Sequence, residues 1–164
     1  MQDLIIRDAR GADYPAIVNL NAEAVEFTSA MDLERLKYLA ALAAYHRVVE
    51  TNARVVAFLL AMKDGAGYEN DNFNWFSSRY ERFLYVDRIV VDKRYHGRGI
   101  GTMLYKNLFV FAHQQEIPLV TCEINAVPPN KASARFHGGL GFREVGSQWI
   151  CDGAKKVSMQ AILL

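Results

Sequence analysis

Three glycines alternate at positions 97, 99 and 101, between an apolar run from Phe83 to Val91 and a segment in which Ile100, Met103, Leu104, Leu108, Phe111 and Ala112 recur at helical spacing. No other stretch of this chain restricts its fold as much. Glycines at a strand-to-helix turn permit φ > 0 and close approach of the backbone to a ligand. The helix that follows opens with N–H groups that have no intrahelical acceptor, at the positive end of its dipole, so the turn is suited to an anion. Arg94 and Arg98 add charge beside it. Several successive outward N–H groups suit a diphosphate better than a single carboxylate. The plain alternative is a tight turn that uses glycine for geometry alone. A Walker loop is excluded because no Lys-Ser or Lys-Thr follows the last glycine. The spacing is GxGxG and not the GxGxxG of a dinucleotide fold, and it lies past mid-chain outside any repeated βαβ unit.

The surrounding pattern is that of a mixed chain. Leu4 to Arg10 reads as a first strand. Asp13 caps a helix with Pro15 in its first turn, whose apolar positions are Ile17, Val18, Leu20, Ala24, Val25 and Phe27. A second helical pattern runs from Asp32 to Tyr45, with Leu33, Leu36, Leu39 and Ala43 on one stripe. Arg47–Glu50 and Val55–Leu60 flank Thr51-Asn52-Ala53 as a hairpin. Lys63 to Arg82 reads as long and irregular, with Tyr68, Phe73, Trp75, Phe76 and Tyr80 among polar residues; such loops are often functional. Its aromatics serve either as a pocket and lid or as cover for a sheet or a partner subunit. After the strand Phe83–Val91, a helix runs from Gly99 to Gln115, a strand from Leu119 to Asn125, and a helix from Asn130 to Gly138-Gly139. Phe142–Ile150 and Lys156–Leu163 close the chain as a hairpin around Asp152-Gly153. The expected fold class is α/β (α+β), a mixed and mostly antiparallel sheet of six to seven strands flanked by about four helices, in a single domain over residues 1–164.

Composition narrows the functions. Of 164 residues about half are apolar, and the formal net charge is +1, so neither nucleic acid nor an anionic membrane is the expected partner. The longest apolar run, near Val55–Met62, is far short of a bilayer span. Met1-Gln2-Asp3 does not open a secretory leader, which points to a cytoplasmic protein. Cys122 and Cys151 form no CxxC pair and read as reduced thiols; Cys122 lies among Val, Thr and Ile, as a buried inert thiol does. The four histidines have no metal-ligand spacing, so no metal is expected.

The stretch Ile89 to Gly101 is similar to motif A of the GNAT N-acetyltransferase superfamily, an apolar strand followed by Gln/Arg-x-x-Gly-x-Gly/Ala. Gly99 and Gly101 match, and His96 stands at the Gln/Arg place. Asn130 to Phe142 resembles motif B, Asn-x-x-Ala/Ser … Tyr … Leu-Gly-Phe: Asn130, Ser133, Leu140, Gly141 and Phe142 match, and His137 occupies the usual tyrosine place. The resemblance implies an acetyl-CoA-dependent N-acetyltransferase with acetyl-CoA as acyl donor. It places that molecule along Ile89, Val90, Val91, His96, Gly97, Arg98, Gly99, Ile100, Gly101 and Thr102, with Asn130 and Ser133. The implied partners are acetyl-CoA and a primary amine, either a small molecule or a protein N-terminus, with a homodimer left open. No acidic cluster announces a polyamine.

Acyl transfer to an amine needs a base for the nitrogen's proton, donors for the thioester oxygen and a proton for the thiolate. The base candidates are Glu123, in Thr121-Cys122-Glu123-Ile124-Asn125, and Asp87, in Tyr85-Val86-Asp87-Arg88. An acid amid apolar strand residues is either paired or working, so Asp87 stands equally as the partner of Arg88 or of another arginine. The Pro128-Pro129 pair lengthens the path from Glu123 to Asn130 by two residues relative to the resemblance. His137 is the candidate acid, against a surface histidine at a helix C-terminus. A backbone N–H of Val90 or Val91 is the expected oxyanion donor. The alternative to an enzyme is a catalytically degenerate sensor that binds acyl-CoA without turnover.

Overall fold

The computed structural model describes residues 3–164. Met1 and Gln2, which open the stretch read above as lacking a leader, lie outside the described residues. Seven strands form a mixed, mostly antiparallel sheet in the order β1-β2-β3-β4-β5-β7-β6, accompanied by five α-helices where about four were expected. The chain divides into two compact units. One runs to Met62 and adds Val86–Val110; the other comprises Lys63–Tyr85 and Phe111–Leu164.

The first unit holds β1 (Ile5–Asp8), α1 (Tyr14–Glu23), α2 (Leu33–Leu42), β2 (Tyr45–Thr51), nearly all of β3 (Arg54–Lys63), most of β4 (Leu84–Val91) and the first part of α4 (Ile100–Gln114). β3 is buried continuously from Val56 to Met62, the mark of an interior strand covered on both faces. The β2–β3 hairpin turns on Asn52 and Ala53, with φ of 50° and 58°, as a two-residue type I′ connection requires. Ile17 of α1 and Leu36 and Leu39 of α2 are fully buried. Each such side chain contributes roughly 1.5–3 kcal/mol relative to its exposed state.

Several boundaries differ from the sequence reading for local reasons. α1 ends at Glu23, and Val25 and Phe27 are about half exposed instead of lying on its buried stripe. The buried Asn21 donates its side-chain N–H to the Ser29 carbonyl oxygen at 3.0 Å, drawing the chain off the helical path. Asp13 makes no side-chain cap on α1; its carboxylate accepts from both Arg7 terminal nitrogens, at 2.7 and 2.8 Å, and from the Arg10 N–H at 2.7 Å. α2 stops at Leu42, Tyr45 begins β2, and Leu33, next to the Asp32 cap, faces solvent.

The second unit holds α3 (Asp71–Ser77), β5 (Leu119–Val127), α5 (Lys131–Leu140), β6 (Arg143–Ile150) and β7 (Lys155–Leu163), with the start of β4. β7 lies between β5 and β6 and pairs antiparallel with each. β4 meets β5 in parallel at Leu84↔Val120 and Tyr85↔Thr121. α3 was absent from the sequence reading, which took Lys63–Arg82 as irregular. Asn70 caps it by accepting from the N–H groups of Asn72 and Phe73, and at seven residues it is too short for periodicity to reveal. Tyr68, Phe73 and Phe76 are buried against Phe83 and Tyr85, so these aromatics cover the sheet; Tyr85 has ring centroids 5.7 Å from Phe73 and 5.9 Å from Phe76. α5 passes through Gly138 and Gly139 and ends at Gly141, in the left-handed conformation at φ 106°. The β6–β7 turn carries an exposed Cys151 at φ 54°, whereas Cys122 on β5 is buried.

Among the described residues no helix is long and apolar enough to cross a membrane, and no cluster of three His, Cys, Asp or Glu is arranged to hold a metal ion.

Candidate active site

The sequence-derived candidates fall into two groups, one in each unit. In the first unit, Ile89, Val90 and Val91 end β4, and Asp92 fastens the strand end by donating its N–H to the Val56 carbonyl oxygen of β3 at 2.8 Å. The Asp92 carboxylate then accepts from the Arg94 N–H at 2.9 Å and holds the Arg94 guanidinium at 2.7 Å. Those contacts keep its carboxyl below the usual carboxylate range, with the Arg94 side-chain bond as the largest cause and burial acting against it. One short 3₁₀ turn, Lys93–Tyr95, follows.

The glycine stretch then bends sharply. Gly97 and Gly99 have φ of 75° and 76°, a region that only glycine enters without strain. A Cβ built on either would meet nothing within 4 Å. The glycines are therefore demanded by backbone conformation, and their open sides leave room for a ligand. The Met103 N–H donates to the Gly99 carbonyl oxygen at 2.9 Å, so the N–H groups of Ile100, Gly101 and Thr102 lie in the first turn of the helix, ahead of its intrahelical ladder. Alternating left-handed residues and a helix N-terminus together make a nest for an anion. The exposed Arg98 guanidinium lies over the Tyr95 ring at 4.9 Å, and His96, also exposed, donates from Nε2 to the Val91 carbonyl oxygen at 2.9 Å.

Asp87 has Arg88 as partner. The Arg88 Nε donates to Asp87 Oδ2 at 2.7 Å, and the two side chains are 4% and 2% exposed. The rest of the guanidinium is also engaged, by Asn21 and Ser29.

In the second unit, Glu123 is half-buried on β5. The Tyr85 hydroxyl donates to its Oε2 at 2.7 Å. Tyr85 is fully buried, and the parallel register sets it opposite Thr121, two residues before Glu123 on the same face of β5. Tyr85 is the site residue the sequence reading missed, since it stood there only as a neighbour of Asp87. Its signal was a tyrosine in an aliphatic strand, because a buried phenol needs a partner. The Pro128-Pro129 segment closes back on the strand end: the Asn130 N–H donates to the Asn125 carbonyl oxygen at 3.0 Å.

Asn130 caps α5 by accepting from the Ser133 N–H at 3.2 Å. His137 is buried, edge-on to the rings of Phe136 and Phe142. Its Nδ1 lies 2.8 Å from the Ser133 carbonyl oxygen and 3.2 Å from the Ser133 hydroxyl. A carbonyl only accepts, so Nδ1 carries the proton and Nε2 presents a lone pair in the neutral ring. Burial holds the His137 pKa below the ordinary histidine value, partly offset by the Ser133 carbonyl.

The chain belongs to the acetyltransferase (GNAT) family, whose model matches residues 6–142. It is 43% identical over 51 residues to a phosphinothricin N-acetyltransferase of Streptomyces coelicolor; that match spans 31% of this chain and 29% of the relative. The ribosomal-protein-S18-alanine N-acetyltransferase of Escherichia coli superposes with a TM-score of 0.74 at 16% identity, over 98% of this chain and 94% of its own. The yncA protein of Salmonella typhimurium, solved with its cofactor acetyl-CoA, superposes with a TM-score of 0.73 at 21% identity, over 99% and 94%. At these identities the structural likeness establishes the fold alone.

Proposed function

We propose that this chain transfers an acetyl group from acetyl-CoA to a primary amine, with Glu123 as base. The observation that carries the reading is the Glu123 carboxylate, half-buried on β5 with one oxygen fixed by the buried Tyr85 hydroxyl at 2.7 Å. A protein that only sensed acyl-CoA would need neither group. The Gly97–Thr102 backbone takes the donor's pyrophosphate; Gly97 and Gly99 are in the left-handed conformation with open space where a side chain would stand, at the start of a helix. Val90 or Val91 supplies the backbone donor for the thioester oxygen.

The acceptor nitrogen arrives as an ammonium and leaves as an amide N–H, so it loses two protons. One passes to Glu123 and then to solvent. The nitrogen lone pair attacks the thioester carbon, the C–N bond forms, and the C–S bond breaks. The other proton ends on the departing thiolate, giving the free thiol. His137 is a poor source for it at neutral pH, because its charged form is disfavoured and its neutral Nε2 accepts. Its role is to fasten the last turn of α5 through Ser133. Asp87, neutralised by Arg88, serves less well as a base than Glu123.

The test is release of free thiol from acetyl-CoA with a panel of primary amines, with the acetylated product identified by mass. Turnover that Glu123→Gln abolishes supports the assignment. Calorimetric binding of CoA with no thiol release from any amine would support the sensor instead.

A further inference from the structure

We propose that α3 aims the base: Phe73 and Phe76 are positioning residues that hold the Tyr85 ring where its hydroxyl meets Glu123, and the Gln148–Asn72 bond fixes α3 in place to do so. This rests on the acetyltransferase reading with Glu123 as base, and extends it to side chains that stand behind the reacting groups.

Strand alternation places α3 over the row that carries the carboxylate. Glu123 of β5 stands opposite Met159 of β7, and Met159 stands opposite Gly146 of β6, so the three share one face of the sheet. α3 lies on that face, because the Trp75 indole rests on Gly146, where a Cβ would collide with it. Two residues further along β6, Gln148 grips the same helix. Its Nε2 donates to Asn72 Oδ1 at 2.8 Å and to the Asp71 carbonyl oxygen at 3.3 Å, and Asn72 is buried. Asn70 caps the first turn by accepting from the N–H groups of Asn72 and Phe73. A helix of seven residues has little stability of its own, so these contacts decide where it lies.

From that position α3 sends two aromatic side chains against the phenol. The Phe73 ring stands edge-on to Tyr85, at 71°, with centroids 5.7 Å apart, and Phe76 lies 5.9 Å from it. Tyr68, just before the helix, packs on Tyr85 at 6.5 Å and on Phe73 at 5.7 Å. Phe83, two residues before Tyr85, braces both α3 rings, at 5.5 Å from Phe73 and 6.3 Å from Phe76. Leucine would fill the same space. Aromatic pairs add a preferred angle between their planes, and so fix direction as well as volume. Packing on the ring of Tyr85 holds its side-chain torsions, and with them the 2.7 Å bond from its hydroxyl to Glu123 Oε2. A displacement of about 1 Å at a reacting group can cost on the order of 10²-fold in rate, so the rigidity of this support bears on turnover.

The experiment takes Phe76→Leu and Gln148→Met, each alone and combined with Tyr85→Phe. Gln148 is partly exposed on the edge strand, so its variant folds even if Phe76→Leu does not. Steady-state acetylation is followed with the best primary amine of the panel, and acetyl-CoA affinity by calorimetry. Carbon NMR of protein labelled at the tyrosine carbon bonded to oxygen reads the hydroxyl directly, with the Tyr85 signal assigned by its loss in Tyr85→Phe. Glu123→Gln moves that signal, and Gln148→Met moves it in the same direction. Phe76→Leu lowers kcat about three- to tenfold, within the loss of one neutral hydrogen bond, and Gln148→Met lowers it by less. KM for the amine and acetyl-CoA affinity stay within about twofold. In the Tyr85→Phe background neither change lowers kcat further, because both act through the phenol. A Tyr85 signal unmoved in Gln148→Met, or losses in kcat that multiply with that of Tyr85→Phe, overturns the positioning role and leaves the acetyltransferase reading standing. No thiol release by the wild type with any amine overturns both.

Discussion

At the scale of single residues, burial decides which ionisable groups take part. His46 on β2 sits near the Tyr14 ring, with its Nε2 buried and without a hydrogen-bond partner, and burial pushes its pKa down to about 4. The unfolded chain holds that proton up to about 6.5, so it binds more protons than the folded chain between the two values. The stability contributed is complete above about pH 6.5 and is lost as pH falls toward 4, by about 3 kcal/mol at most. His137, also depressed, adds in the same direction. The fall in Tm between pH 7.5 and pH 5 is therefore expected to be smaller in His46→Phe than in the wild type. Equal falls would remove His46 as the cause, and packing changes cancel because each protein is compared with itself.

Glu123 and His137 separate by the same logic. Glu123→Gln keeps shape but takes no proton, and is expected to lower kcat by about 10²–10⁴ with CoA affinity intact. Tyr85→Phe, which frees the carboxylate oxygen but leaves it basic, is expected to cost about tenfold. His137→Phe is expected to hold kcat within about threefold at pH 7.5; a loss of a hundredfold there would restore it as the thiolate's acid. The pH–rate profile of each variant, with one amine, checks all three.

At the scale of elements, the glycines divide by reason. Gly99 is strained against any side chain by its φ, yet a Cβ there meets open space. Gly99→Val is accordingly expected to weaken acetyl-CoA binding far more than it lowers Tm, as calorimetry and thermal melts would show together. Gly146 on β6 is the opposite case. A Cβ there would collide with Trp75 Cζ2, because the indole of α3 rests on the strand. Gly146→Ala is expected to cost about 1–3 kcal/mol of stability, and to lose most of that cost when combined with Trp75→Ala. Additive effects of the two changes would disprove the contact. Elements with a full periodic stripe or a turn signal, such as α4 and the β2–β3 hairpin, were legible in the sequence. α3 was not: its seven residues carry two inward aromatics and an Asx cap, too few positions to establish a period. The end of α1 was missed because Asn21, an ordinary helical residue locally, is claimed by Ser29 just beyond the helix and by Arg88, 67 residues away in sequence. The site shows the same division. The glycine-bent turn at the start of α4 is local and was readable from Gly97 and Gly99. The Tyr85–Glu123 bond depends on a parallel register over 38 residues of separation, which no local pattern encodes.

For the whole molecule, the two thiols become a gauge of how often it opens. Cys151 stands exposed in the β6–β7 turn, while Cys122 is 3% exposed on β5. An aromatic disulfide reagent at mild alkaline pH is expected to colour with one equivalent at once and with the second only as β5 is uncovered. Where closing outruns labelling, the slow phase scales with the population of the open form and so reports a free energy under native conditions. A ligand that binds only the closed protein lengthens that phase by a factor of 1 + [L]/Kd. Acetyl-CoA would then announce its own affinity through a cysteine it need not touch, in Cys151→Ser protein where the fast equivalent no longer obscures either this clock or the release of CoA thiol.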